Sequence, residues 1–286
     1  MSVGAPVALR AAAPHLAPTK APRRGLLVGI LAALLAVGGL AAAPAPASAA
    51  GIKVAIVVGP AGALTGSYLR SAQGYAAQAR AYGATVAEVY TPNATWARVR
   101  AAVQGANLLI YLGHGNGFPN PYNTVLTPLK VDGFGLNPYA GSGNIRTAYY
   151  GESYVDQYVK LAPNAVVILN HLCYSTGSSE PGNPTPTASV ARKRVDNFAA
   201  GFLGSGARAV FATLGEASYL IDALFTSDQA LVDIFWNAPD RTWAYRAFFA
   251  SVRTPGMAAL MDPSQPRVYH RSVVGDLTMT ALTWRG

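Results

Sequence analysis

Apolar runs of strand length recur along this chain: Ile52–Val58 (IKVAIVV), Ala106–Leu112, Ala165–Leu169 and Ala207–Thr213 (ARAVFAT). Rich in β-branched residues and with few polar positions, they match strands buried on both faces rather than strands with one wet face. Another strand is expected over Ala84–Tyr90. Helix-period segments separate the runs. Thr65–Tyr82 places Tyr68, Leu69, Ala72, Tyr75, Ala76 and Ala79 on one helical face. Thr95–Val103, Glu152–Leu161 and Ser189–Leu203 read as helices, the last closed by Gly204-Ser205-Gly206. Strands alternating with helices imply a mostly parallel sheet with helices on both faces. Toward the end, the pattern predicts helices over Tyr219–Trp236 and Thr242–Ser251 and a strand over Val268–Val274. Two polar stretches, 115–150 and 174–186, read as long loops, which in compact domains are usually functional or disordered.

The first 49 residues have the layout of a secretory leader. Arg10, Lys20, Arg23 and Arg24 precede an apolar run, Gly25–Leu40, and a small-residue stretch holds Ala47-Ser48-Ala49. The run is short for a membrane span, which needs about 20 residues. Arg23-Arg24 also resembles the paired arginines of a twin-arginine signal. The expectation is export, with residues 50–286 forming one domain that has no membrane span of its own. Four of the 22 basic residues lie in the leader, leaving 18 against 13 acidic residues, a net charge of +5 for the rest. That charge is mild and scattered, so nucleic acid is not an expected partner. Only Arg192-Lys193-Arg194 is clustered, and it reads as a solvated helix face.

Candidate chemistry sits at two strand ends. Asn107-Leu-Leu-Ile-Tyr-Leu-Gly-His114-Gly115 runs from an apolar segment into a histidine. Ala165-Val-Val-Ile-Leu-Asn-His-Leu-Cys173-Tyr-Ser-Thr-Gly177 runs into the single cysteine of the chain. In open α/β sheets ligands bind beyond the carboxyl ends of the strands. If these two strands are parallel neighbours, His114 and Cys173 emerge at one edge, as a thiol nucleophile and an acid/base partner. Gly115 would let a backbone N–H approach a substrate. One cysteine cannot form an internal disulfide. Leaving out the leader, it and the three histidines at 114, 171 and 270 do not make up a structural zinc site, which takes four Cys/His ligands. No H-E-x-x-H, G-x-S-x-G, phosphate-loop or paired-carboxylate pattern occurs, so no metal or other cofactor is expected. His171, two residues before Cys173, is a candidate pocket residue. His270 falls in a late strand and reads as structural.

These segments resemble the caspase-like cysteine peptidases, the group of caspases, metacaspases, legumain, gingipain, clostripain, separase and bacterial CHAT domains. In that group a strand ending in His-Gly precedes a strand ending at the cysteine. Here 59 residues separate His114 from Cys173, close to the ~50 of caspases. Val167–Gly177 is similar to the cysteine segment of CHAT domains, and Phe198–Thr213 to the helix and strand that follow it. Val273-Val-Gly-Asp276 resembles the Gly-Asp ending of gingipain-like domains. The resemblance spans about residues 52–276. It implies a caspase-like three-layer α/β sandwich and a secreted endopeptidase acting on a peptide or protein. It assigns Cys173 as nucleophile, His114 as acid/base, and the backbone N–H groups of Gly115 and Cys173 as the oxyanion hole. Position 171 departs from it: many relatives carry Asp, Glu or Gln there, so no cleavage preference carries over.

Two other readings use the same residues. One is an exported binding protein that keeps the fold without catalysis, with a tyrosine-rich surface (Tyr122, Tyr139, Tyr149, Tyr150, Tyr154) for recognition. The other is an acyl transferase or amidase with the same dyad.

Overall fold

In a computed structural model, residues 51–123 and 125–286 are described. The expected leader lies outside them. In chain order the elements are β1 (Lys53–Val58), α1 (Thr65–Ala81), β2 (Thr85–Tyr90), α2 (Trp96–Val103), β3 (Leu108–Leu112), β4 (Phe134–Leu136), β5 (Ala148–Tyr150), α3 (Glu152–Tyr158), β6 (Ala165–Asn170), α4 (Ala188–Gly204), β7 (Ala207–Thr213), α5 (Ser218–Thr226), α6 (Leu231–Asn237), β8 (Ala247–Ala250), β9 (Ala258–Gln265), β10 (Val268–Gly275) and α7 (Ala281–Arg285).

Eight strands form one sheet in the order β2-β1-β3-β6-β7-β10-β9-β8. The first five are parallel, while β10, β9 and β8 join by antiparallel pairing. Side chains alternate across each strand, and both faces of the central strands are buried. Val54, Ile56 and Val58 of β1 face one core with Tyr68, Tyr75, Ile221, Phe235 and Trp284. Ala55 and Val57 face the other with Val99, Val155, Phe198 and Phe202. Helices α1, α5, α6 and α7 therefore cover one face, and α2, α3 and α4 the other. This is the expected three-layer α/β sandwich with a mostly parallel sheet. Among the described residues no helix is long and apolar enough to cross a membrane.

Four local expectations differ from the structure. Residues 219–236 form two helices, not one. The break at residues 227–230 is stabilised from outside: Leu231 and Val232 N–H groups donate to Met279 and Leu277 carbonyls, and Arg285 holds the Leu224 and Ser227 carbonyls. The expected helix over 242–251 is instead the edge strand β8, paired to β9 from Ala247↔Met261 to Ala250↔Ala258. The Asp262 carboxylate accepts from Thr242 N–H, Thr242 hydroxyl and Trp243 N–H, pulling this segment into extended pairing. Loop 115–150 contains the hairpin of β4 and β5. Arg194, expected to be solvated, is only 4% exposed.

Candidate active site

The parallel ladders leave four strand ends level. Val58 is in register with Leu112, Leu112 with Asn170, and Asn170 with Thr213. β3 and β6 are neighbours about 4.8 Å apart. His114 follows two residues past Leu112, and Cys173 three past Asn170. The chain segments around them touch. A Cβ built on Gly115 would lie 2.8 Å from Cys173 N and 2.9 Å from Cys173 C, so only glycine fits there. Neither the Gly115 nor the Cys173 N–H donates to another residue among the described ones, and no hydrogen bond joins the His114 ring to the Cys173 thiol.

Tyr111 positions the histidine segment. It is fully buried on β3, and its hydroxyl accepts from Gly135 N–H at 2.8 Å. The single hydroxyl proton faces the carbonyls of His114 (3.1 Å) and Gly135 (3.0 Å). The loop after β3 is thereby tied to β4. Asn170 does the equivalent work at the end of β6. Its amide nitrogen donates to the Thr213 and Gly215 carbonyls, and its carbonyl oxygen accepts from Tyr75 hydroxyl at 3.0 Å. The single Tyr75 hydroxyl proton is shared between that oxygen and the Glu216 carboxylate, and the hydroxyl oxygen accepts from Ala217 N–H. Strand ends β6 and β7 and helix α1 are thus one hydrogen-bonded unit.

Beyond Asn170 the backbone bends sharply. His171 and Tyr174 adopt left-handed conformations, at φ 60° and 71°. Such conformations are uncommon for residues other than Gly, Asn and Asp, and they cluster at functional sites. His171 N–H donates to Thr213 O, and its ring stacks on Tyr68 with centroids 5.3 Å apart. His171 therefore sits beside α1, against the β7 end. Arg194 holds the segment after the cysteine. Its guanidinium donates to the carbonyls of Pro119, Gly177 and Ser178 and to the Ser179 hydroxyl, and lies 4.7 Å from the Tyr174 ring centre. Both loops of the site, before and after α3, hang on this one buried cation.

The electrostatics leave both candidate groups neutral at rest. Burial pushes the Cys173 thiol above its ordinary range, and the Glu180 charge adds to this; the residue's own N–H opposes it weakly. Partial burial lowers His114, whose residue as a whole is exposed, so the shift is modest, and Glu180 opposes it. Burial also lowers His171, against Glu216. Tyr68 and Tyr149 are raised by burial first and by the Cys173 charge as a further cause.

Of the residues expected from sequence, His114, Gly115 and Cys173 share one sheet edge, and His171 adjoins it. His270 lies away on β10, its Nε2 3.2 Å from the Asp240 carbonyl oxygen. Tyr111, Asn170, Arg194 and Glu180 were missed. Arg194 carried a readable signal: it falls in the stripe Ala191, Val195, Phe198, Phe202, where a basic residue must be buried. Asn170 carried another, as an amide that follows five apolar residues. Among the described residues no group of three or more His, Cys, Asp or Glu converges as a metal site.

No protein-family model matches the chain, and no curated protein matches it. Among solved structures, it is similar to a chain of the Saccharomyces cerevisiae separase–securin complex, at 16% identity and a TM-score of 0.27. The match covers 61% of this chain and 9% of that one. The chain thus spans under a tenth of that protein, and a likeness at this score settles neither fold family nor activity.

Proposed function

We propose that this chain is a cysteine-dependent peptidase of caspase-like architecture, with Cys173 as nucleophile and His114 as acid/base. The observation that carries the reading is the packing of Gly115 on the Cys173 backbone at the level carboxyl ends of two neighbouring parallel strands. In this mechanism the substrate carbonyl carbon is attacked by Cys173 Sγ, and the thiol proton passes to the neutral His114 imidazole. The carbonyl oxygen becomes an oxyanion facing the N–H groups of Gly115 and Cys173. Loss of one such donor costs about 3–4 kcal/mol in comparable sites. His114 then protonates the leaving amine, giving a thioester. It next takes a proton from the water that attacks the thioester, and returns that proton to the departing Cys173 sulfur as the acid product forms. Positioned acid/base catalysis of this kind is worth roughly 10²–10⁴ in rate. The resting pair is neutral, so proton transfer accompanies substrate binding rather than preceding it. Apo hydrogen bonds at such sites are often long and tighten in the complex. The leader pattern in residues 1–49 supports export of the mature chain.

A second reading, a binding protein without catalysis, is favoured by the setting of the thiol: it is partly buried with no hydrogen bond to His114, and burial pushes it up, away from a preformed thiolate. A single experiment separates the two. A mixed peptide library is incubated with the wild-type protein, Cys173→Ala and His114→Ala, and cleavage is read by mass spectrometry. Cleavage lost in both variants supports the dyad. Cleavage retained in Cys173→Ala refutes the nucleophile, and no cleavage by wild type favours the binding reading.

A further inference from the structure

The sheet ends at β8, which pairs with β9 alone. Ser251 N–H donates to Met257 O at 2.9 Å, just beyond the strand. Hydrogen-bonded pairs alternate in an antiparallel ladder, so Phe249↔Ala259 and Ala247↔Met261 are the bonded pairs. The backbone N–H and C=O groups of Phe248 and Ala250 therefore point away from β9. Among the described residues nothing pairs with them. Phe248 is 70% exposed and Val252 is 84% exposed. Natural edge strands are usually covered, charged or bulged against pairing; among the described residues this one is uncovered, and it is apolar.

A groove of about 710 Å³ runs beside the edge. Phe118, Leu126 and Phe249 supply apolar walls, and α4 contributes Ser189, Arg192 and Lys193 from one helical stripe. Its other charged groups are already engaged. The Asp196 carboxylate accepts from Ser251 hydroxyl, Val252 N–H and Arg253 N–H. Arg253 donates to Glu152 and Asn197. Arg192 and Lys193 are exposed, and neither pairs with an acid among the described residues. Arg192 instead lies 5.5 Å from the Phe249 ring centre.

The geometry points to a docking site for an extended acidic peptide at this edge. The peptide adds a strand to β8 through the free groups of Phe248 and Ala250. Its apolar side chain enters the groove, and its carboxylates meet Arg192 and Lys193. Charge complementarity selects this occupant. A second copy paired edge to edge about a two-fold axis would bring its own Arg192 and Lys193 to the same face of the seam, like against like. The site is separate from Cys173: β7, β10 and β9 lie between β6 and β8, a separation of about 19 Å at the usual strand spacing. The inference does not depend on the peptidase reading.

The test pans a phage-displayed library of random octapeptides against the protein carrying Cys173→Ala, which prevents cleavage. The best enriched peptide is then synthesised with a fluorophore and titrated by anisotropy. The expected peptide carries its apolar and acidic residues two apart, so that both face the α4 side of the added strand. Its affinity falls at least tenfold in Arg192→Glu/Lys193→Glu, falls similarly in Ala250→Pro, and weakens as salt is raised. Ala250→Pro removes one outward N–H that no sheet partner uses. If that variant misfolds by circular dichroism, the charge-reversal pair on exposed α4 positions decides alone. Three results overturn the proposal: no acidic peptide is enriched, the enriched peptide binds the charge-reversed protein as tightly, or the protein sediments as a dimer that Ala250→Pro dissociates. The last outcome would make the occupant a second copy.

Discussion

Replacing Gly115 by alanine places a methyl group against the backbone of Cys173. The new Cβ lies 2.8 Å from Cys173 N and 2.9 Å from Cys173 C, and meets the carbonyl oxygen closer still. Carbon atoms in contact with such groups normally sit about 3.5–4.0 Å away, so the two segments must part by roughly 1 Å. Neither neighbour is the end of a flexible side chain. Overpacking of this kind costs about 1–3 kcal/mol, and at this chain length each kcal/mol moves Tm by about 2–4 °C. The expected fall in Tm is therefore about 2–12 °C by circular dichroism. A displacement of that size at a reacting centre costs on the order of 10²-fold in rate. Gly74→Ala is the control with the opposite sign. Gly74 lies exposed inside α1 with nothing within 4 Å of an added Cβ. Alanine there gains about 1 kcal/mol of helix propensity, so Tm rises by about 2–4 °C. If Gly115→Ala melts with the wild type, the two strand-end segments are not in contact and the reasoning behind the site fails.

Arg194→Met removes a buried cation and leaves three carbonyls and a hydroxyl without their donor. Orphaned buried acceptors make this one of the larger single-site losses, about 3 kcal/mol; urea denaturation showing less than 1 kcal/mol would refute the clamp. Tyr111→Phe leaves the Gly135 N–H and a facing carbonyl unpaired, a loss of about 1–3 kcal/mol. Amide hydrogen exchange across residues 113–116 should quicken; unchanged exchange would show the hydroxyl does not hold that loop. Burial pushes the Asp132 carboxyl well above its usual range, with Phe118 N–H opposing. A folded pKa above the unfolded one gives stability that is complete below about pH 3.9 and is lost as pH rises through the folded value. Asp132→Asn abolishes that loss, so its stability relative to wild type should climb between pH 4 and pH 8 in parallel melts; a flat difference would contradict the shift.

Much of the site was legible from local pattern. Ile52–Val58, Ala106–Leu112 and Ala165–Leu169 are mostly apolar on both sides of the pleat, which requires cover on both faces and hence parallel strands with helical crossovers. Once β3 and β6 are parallel, the residues just past Leu112 and Asn170 have only one edge to occupy. Charge alone implies a solvated face for Arg192-Lys193-Arg194, but helical phase turns Arg194 inward. Its position on the apolar stripe of α4 outweighs its charge once four acceptors converge on it. The links at Tyr111, Asn170 and Glu180 join residues far apart in sequence, and no local period encodes them.

The chain's own sequence determined the layers, the central strands and the edge at which His114 and Cys173 emerge, because strand and helix periods act over neighbouring residues. Tertiary structure alone decided the outer part of the molecule. Segment 242–251 became an edge strand because β9 and the Asp262 carboxylate were there to receive it, and the break between α5 and α6 exists because Leu277, Met279 and Arg285 satisfy its backbone groups. Where a segment's hydrogen-bond partners lie tens or hundreds of residues away, its local preferences are weaker than the partners it finds.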